Sequence, residues 1–291
     1  MQQHPRYRGR FAPSPTGPLH LGSLTAALGS WLLARQQHGE WLIRIEDLDP
    51  PREIPGMAEQ HIASLAVFGM VSDQPVLRQS ERSDHYRHAL DRLRAQDLAF
   101  ACHCSRTDLT DSIGIHLACV LQPSGKAPAW RLRVPDREIV FHDRIRGRFA
   151  QSLRAESGDF VLRRADGCWA YQLAVVVDDA EQAITEVVRG ADLLDSTPRQ
   201  IWLQECLGLP VPRYTHLPTL LGADGKKLAK SLASAPVDPA DPLTALRFAW
   251  KCLGQQAPAL LTARNSGQAL DLALANFEPE RIPAIDMPAT M

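Results

Sequence analysis

Apolar positions along this chain switch between an extended and a helical rhythm, and the order of the switches predicts an α/β fold. Residues 6–12 (RYRGRFA) and 40–46 (EWLIRIE) form two extended segments, and the apolar run Leu24–Ala34 between them has helical length. Strand, helix and strand in that order make a βαβ unit, which implies a parallel sheet. Helical patterns recur over about 54–68 and 81–96. The rhythm breaks over 99–160, where Cys, His, Gly and Pro clusters precede basic extended segments, and this stretch reads as an insertion between two halves of a sheet. FVLRRADGCWAYQLAVVVDD (160–179) then resumes with a strand, an Asp166-Gly167 turn and an apolar run, and ITEVVRG (184–190) reads as a further buried strand. WAYQLAVVVDD and VVRGADLL are taken as consecutive strands of the second half-sheet, followed by a helix through about 207. A Pro/Ala/Asp-rich link leads to helices near 242–254 and 266–276, and the last dozen residues are expected to fray.

The expected division is a first half-sheet over 1–98, the insertion over 99–160, a second half-sheet over 161–235 and a short helical subdomain over 236–291. A chain of 291 residues that is 45% hydrophobic can bury a full core. No apolar run approaches the roughly 20 residues of a membrane helix, and MQQHPRYRGR has no secretory apolar core. Six unevenly spaced cysteines do not resemble a disulfide framework, so the cytoplasm is expected. The net charge of −1 gives no global nucleic-acid signal. Charge is nevertheless segregated: residues 126–164 hold ten Lys/Arg against five Asp/Glu, and 178–195 hold six acids and one Arg. Such an arrangement suits a polyanion tracking part of the surface, or a solvated mixed surface.

Four stretches carry chemistry. In RFAPSPTGPLHLGS (10–23), Pro13 and Pro15 forbid helix before Thr16, Gly17-Pro18 turns the chain, and His20-Leu21-Gly22-Ser23 opens a helix. A helix N-terminus after a tight turn favours phosphate, His20 adds a donor, and Gly22 admits a flat ligand to the backbone. The plainer alternative is an ordinary strand–turn–helix corner. RIEDLDPPR (44–52) puts Glu46, Asp47 and Asp49 at the C-terminal edge of a parallel strand, where open α/β sheets bind ligands, although acidic loops are commonly just solvated. Glu46 could bind an ammonium group, and Arg10 could grip a carboxylate with its planar fork. GADGKKLAKS (222–231) clusters Lys226, Lys227 and Lys230 beyond a turn, where mobile cations suit a phosphoryl-transfer transition state. Cys102, Cys104, His116 and Cys119 make a closed tetrahedral set for one structural Zn²⁺, with His103 a weaker candidate. Zinc would stiffen an insertion with little core of its own. Cys168, Cys206 and Cys252 read as buried, inert thiols.

Together HLGS, RIEDLDPPR and KLAKS resemble the HIGH, RxEDxDxxR and KMSKS motifs of the class I glutamyl-tRNA synthetases and their relatives, over most of residues 8–231. The resemblance implies a Rossmann-like class I synthetase sheet, with a zinc-bearing insertion and a small C-terminal helical subdomain. It implies L-glutamate bound by Arg10, Phe11, Ala12, Pro13, Ser14, Glu46, Tyr171 and Arg189, with Glu46 on the α-amino group. Read alone, Tyr171 could be core packing and Arg189 a strand-end cap. ATP, with Mg²⁺, would meet His20, Gly22, Ser23 and Lys230, and His20, Gly22, Lys227 and Lys230 would serve catalysis. Two departures stand out: Ala229 replaces the usual Ser, and His116 occupies the stretch where relatives carry a tyrosine ligand. The chain after Ser231 is too short for anticodon-binding domains. This implies a truncated paralogue that passes glutamate to the queuosine of the tRNA(Asp) anticodon, and a monomer is expected. A minimal glutamyl-tRNA synthetase charging an acceptor end, and a non-catalytic RNA-binding module, are the rival expectations.

Overall fold

The structure is a computed structural model that describes residues 6–105, 107–112, 115–120, 127–221 and 236–288. The first half comprises β1 (Arg8–Phe11), α1 (Leu21–Gln36), β2 (Glu40–Ile45), α2 (Met57–Val67), β3 (Leu77–Arg78) and α3 (Ser83–Ala95). Then come β4 (Ala99–Cys102), β5 (Ala129–Leu132), β6 (Glu138–Asp143), β7 (Gly147–Ser152), α4 (Leu153–Glu156) and β8 (Phe160–Arg163). The chain continues through α5 (Tyr171–Glu181), β9 (Glu186–Gly190), α6 (Thr197–Leu207), β10 (Arg213–Leu217) and β11 (Leu220–Leu221). It closes with α7 (Pro242–Cys252), α8 (Ser266–Asn276) and β12 (Met287–Pro288).

The predicted βαβ unit is present: β1 pairs in parallel with β2, and β2 with β3. β2 is buried at Trp41, Leu42, Ile43 and Ile45, as expected of a parallel strand covered on both faces. A second sheet has the order β7-β6-β10-β9, with β9, β10 and β6 parallel. The two sheets meet where the Thr185 backbone N–H donates to the Arg8 carbonyl at 2.9 Å, so β1 and β9 start side by side. β1 leads through α1 to one side and β9 through α6 to the other. This is a topological switch point, and ligands of open α/β sheets settle beyond the strand ends there.

Several sequence expectations change. WAYQLAVVVDD is not a strand: residues 171–181 form α5. Its continuous apolar run fits a buried helix as well as a buried strand, and Leu173 to Val177 are all buried. The strand at 160–163 pairs antiparallel with β5, which pairs antiparallel with β4, so it belongs to a separate three-stranded sheet. The β6–β7 hairpin, from the stretch read as an insertion, instead extends the second parallel sheet beside β10. The tail is ordered as far as described, since β12 pairs with β11 and Arg146 meets Asp286 at 2.5 Å. Cys206 and Cys252 are buried as expected, whereas Cys168 is half-buried.

The main core gathers α1, β1 and β2 with α7 and α8, through Leu28 and Leu32 against Leu246, Trp250 and Phe277. Neighbouring acids on α5 tie the other elements to it. Asp178 accepts from Gln79 (2.8 Å), Arg82 (2.6 Å) and the Tyr86 hydroxyl (2.8 Å), which docks α3. Asp179 accepts from Arg10 through Nε (3.0 Å) and Nη2 (3.2 Å), and from Arg44 Nη1 at 2.7 Å. Arg10, Arg44 and Asp179 are all buried. Burial opposes ionisation of Asp179, but the two guanidinium groups outweigh it and hold its carboxyl below the usual carboxylate range.

Because the folded value is depressed, this contribution to stability is complete above about pH 4 and is lost as pH falls below it. Asp179→Asn leaves two buried guanidinium groups without their anion, so urea unfolding at pH 7 should show a loss of about 3–5 kcal/mol. The difference from wild type should shrink as pH falls below about 4.

Candidate active site and metal centre

The ends of β1, β2 and β9 and the start of α1 surround a cavity of about 760 Å³. Arg10, Phe11, Ala12, Pro13 and Ser14 line it from β1 and the turn beyond, and His20, Gly22 and Ser23 from the helix start. Glu46 comes from the end of β2, Tyr171 from the first turn of α5 and Arg189 from β9. Every glutamate- or ATP-directed residue expected from the sequence, within the described residues, therefore faces one space. Lys226, Lys227, Ala229, Lys230 and Ser231 lie outside the described residues.

The helix start is built locally. His20 is the extended N-cap of α1, and its Nδ1 accepts from the Ser23 backbone N–H at 3.2 Å. In the neutral ring this puts the imidazole hydrogen on Nε2. A Cβ on Gly22 would stand 3.1 Å from that imidazole, so glycine here makes room for the capping ring. The Val237 N–H donates to the Leu19 carbonyl (2.8 Å) and Pro236 bridges to His20, while Pro218 and Thr219 line the cavity. The described residues on both sides of 222–235 thus adjoin the cavity.

Charge in the cavity is partitioned. The bidentate edge of Arg10 is already engaged, since Asp179 takes its Nε and Nη2. The carboxylate that Arg10 grips in this structure is the protein's own. Glu46 lies 3.5 Å from Arg44, and burial pushes its carboxyl up against the pull of Arg44 and Arg10. An ammonium group placed beside Glu46 would reverse that upward shift. Arg189 meets only neutral partners among the described residues: His216 Nε2 (3.1 Å), the Tyr171 hydroxyl (3.2 Å), Gln200 Oε1 (2.9 Å) and Thr197 Oγ1 (2.8 Å). Its charge is therefore not cancelled by a carboxylate in contact. The Tyr171 hydroxyl, in accepting from Arg189, keeps its own hydrogen to donate.

A second space of about 900 Å³ adjoins the first and shares Ser14, Glu46 and Tyr171 with it. It lies toward the antiparallel sheet, with Arg131, Arg164 and Trp169 on one side and Asp49 and Arg52 on the other. Asp49 accepts from Arg52 (2.5 Å) and stands 3.5 Å from Arg164. Asp47 has a structural partner, accepting from Ser80 at its backbone N–H (2.9 Å) and hydroxyl (2.7 Å).

Cys102, Cys104, His116 and Cys119 converge with all four ligand atoms within 4.8 Å of one another. His103 is not in the group. Cys102 Sγ and His116 Nε2 are 3.3 Å apart, and His116 Nδ1 meets Asp159 Oδ2 at 3.1 Å. A carboxylate behind the imidazole fixes Nε2 as the ligand atom, the usual second layer of a metal site. Gly158 runs against His116 at φ +62°, where a Cβ would stand 2.5 Å from the His116 backbone. Partial desolvation and the Cys102 sulfur push the Cys119 thiol up to about 11, and a bound cation would reverse this by favouring the thiolate. The donor set fits a soft divalent ion held tetrahedrally.

No motif singles out Asp179, one acid of an acidic run, or His61, Thr197, Gln200 and His216. The one local signal was two acids inside the apolar helix of residues 171–181, since a buried carboxylate must have a partner. His61 lines the first cavity from α2 and its Nε2 donates to the Gly17 carbonyl at 2.7 Å.

Known proteins share this fold. The profile of the tRNA synthetases class I (E and Q), catalytic domain, matches residues 6–118 and 120–239. A glutamyl-Q tRNA(Asp) synthetase of Xanthomonas campestris pv. campestris (strain 8004) is 60% identical over 281 residues, covering 96% of this chain and 94% of that protein. One from Burkholderia mallei (strain ATCC 23344) is 56% identical over 263 residues, covering 86% and 89%. Among solved structures, a glutamate tRNA ligase from Elizabethkingia meningosepticum CCUG26117, in complex with its amino acid, superposes with a TM-score of 0.81 at 26% identity, over 98% of this chain and 67% of that one. With its parallel sheets, its switch-point cavity and these relatives, the chain belongs to the class I glutamyl- and glutaminyl-tRNA synthetase family.

Proposed function

We propose that this chain activates L-glutamate with ATP and transfers it to the queuosine of the tRNA(Asp) anticodon. The observation that carries the activation step is the single cavity shared by Arg10–Ser14, His20, Gly22, Ser23, Glu46, Tyr171 and Arg189. Identity of 60% along nearly all of a glutamyl-Q tRNA(Asp) synthetase supports the acceptor.

Glutamate would lie with its α-ammonium on Glu46 and a carboxylate toward Arg189 and the Tyr171 hydroxyl. Its α-carboxylate oxygen attacks the α-phosphorus of ATP, forming glutamyl-adenylate as pyrophosphate leaves. The N-terminus of α1 and His20 Nε2 supply donors for phosphate oxygens, and the ATP carries Mg²⁺. Lys227 and Lys230 would add positive charge from the segment whose described flanks adjoin the cavity. An acceptor hydroxyl then attacks the activated carbonyl and AMP departs. The adjoining second cavity, which shares Glu46 and Tyr171, gives that acceptor a route, with Arg52 and Arg164 beside it for phosphates. A cytoplasmic location would suit these substrates.

The test is ATP–pyrophosphate exchange with glutamate in the absence of tRNA, followed by transfer of labelled glutamate to tRNA with and without queuosine. Exchange without tRNA, then labelling confined to queuosine-containing tRNA(Asp), is the expected result. Labelling of tRNA(Glu), or no exchange, would contradict it. In the same assay Glu46→Ala should raise the KM for glutamate by about tenfold or more with little change for ATP, the cost of leaving an ammonium without its anion.

The Cys102, Cys104, His116 and Cys119 cluster is assigned to one structural zinc, which would brace the loops between β4 and β5 around a small local core of Cys102, Cys104 and Leu109. Metal analysis should give about one zinc per chain, reduced by Cys102→Ser. A fully folded, metal-free wild type would refute the assignment.

A further inference from the structure

Arg189 differs from Arg10 in what holds it. Behind its Nε lies His216 on β10, and behind His216 lies Asp143 at the end of β6. Asp143 and His216 have no exposed surface, and Arg189 retains 6%. Asp143 accepts backbone N–H bonds from Ile145 (2.9 Å), Arg146 (2.8 Å) and His216 (3.0 Å), and its Oδ2 meets His216 Nδ1 at 2.7 Å. With so many donors the carboxylate is ionised, so Nδ1 carries the imidazole hydrogen. Nε2 is then a lone pair, and it accepts the Arg189 Nε–H at 3.1 Å. Thr197 Oγ1, 3.2 Å from the same nitrogen, accepts from Arg189 Nη2.

We propose that Asp143 and His216 are a positioning pair for Arg189, fixing the guanidinium toward the cavity through a neutral imidazole so that its charge remains for a substrate carboxylate. The inference rests on the glutamate reading above and names residues that it did not include. A direct Asp143–Arg189 ion pair would compete with the substrate, as Asp179 does for the bidentate edge of Arg10. The interposed ring supplies direction without cancelling charge in contact.

The device works only while His216 is neutral, because a hydrogen on Nε2 would face the Arg189 N–H. The charged groups around His216 are Asp143 and Arg146 from β6 and its turn and Arg189 from β9. Tyr214, on its own strand, stacks at 6.2 Å. Burial, with Arg189 and Arg146, holds the imidazole below its ordinary range against the opposing pull of Asp143.

Two measurements test this. The first is imidazole ¹⁵N NMR of the wild type, His216 being assigned by its loss in His216→Gln. His216 should keep hydrogen on Nδ1 and none on Nε2 from about pH 8 down through the ordinary histidine value near about 6.5. Hydrogen on Nε2, or titration at or above about 6.5, overturns the proposal whether or not the enzyme turns over. The second is pyrophosphate exchange. His216→Leu, which removes the acceptor, should raise the KM for glutamate about tenfold or more, with the KM for ATP within about twofold. His216→Gln, which restores an oxygen acceptor at similar reach, should recover most of that loss. Equal losses for both substrates, or no change in glutamate KM, overturn the positioning role while wild-type exchange still supports glutamate activation. Should His216→Leu not fold, the tautomer measurement decides alone.

Discussion

A single buried carboxylate decides how charge is distributed at the switch point. Asp179 bridges Arg10 on β1 and Arg44 on β2 from a helix that follows them by more than a hundred residues, with bonds of 2.7–3.2 Å. A buried anion with two buried cations is tolerated only when its hydrogen bonds are well made. Here they are, and the consequence reaches beyond stability. The pair fixes α5 against the sheet, which sets Tyr171 at the cavity wall. It also occupies the best edge of Arg10, which is why the proposed function gives the substrate carboxylate to Arg189.

The rest of the cavity follows the same economy of charge. Arg189 is held by an imidazole, an amide and two hydroxyls, all neutral, and so keeps its field. Glu46 is the opposite case, a largely desolvated carboxylate at the cavity wall that would gain from an incoming ammonium. A zwitterion with an additional carboxylate satisfies both. Ser14, Glu46 and Tyr171 line both spaces, and in the proposed reaction the acceptor would reach the activated carbonyl through the second one.

Much of this was legible because it is local. Prolines and glycines between Arg10 and Ser23 fix the backbone, so residues adjacent in sequence are adjacent at the cavity. Glu46 was legible from its place at a strand end, and the Cys/His set from its ligand chemistry, including His116. What failed was non-local or ambiguous in period. The Val175–Val177 run is continuous, which no periodicity separates into strand or helix, and it proved helical. The β6–β7 hairpin reads as part of an insertion because its partner, β10, comes some seventy residues later. Asp143, Asp179 and His216 have partners far along the chain, and no spacing rule joins them. Tyr171 and Arg189 entered through family resemblance, and each alone had a structural explanation.

The most direct test is a crystal structure of the enzyme with L-glutamate. A carboxylate of the ligand should lie within about 3 Å of Arg189 and the Tyr171 hydroxyl, its ammonium on Glu46, with Asp179 still bound to Arg10 and Arg44. A ligand carboxylate that displaces Asp179 from Arg10, or one that leaves Arg189 untouched, would contradict the account.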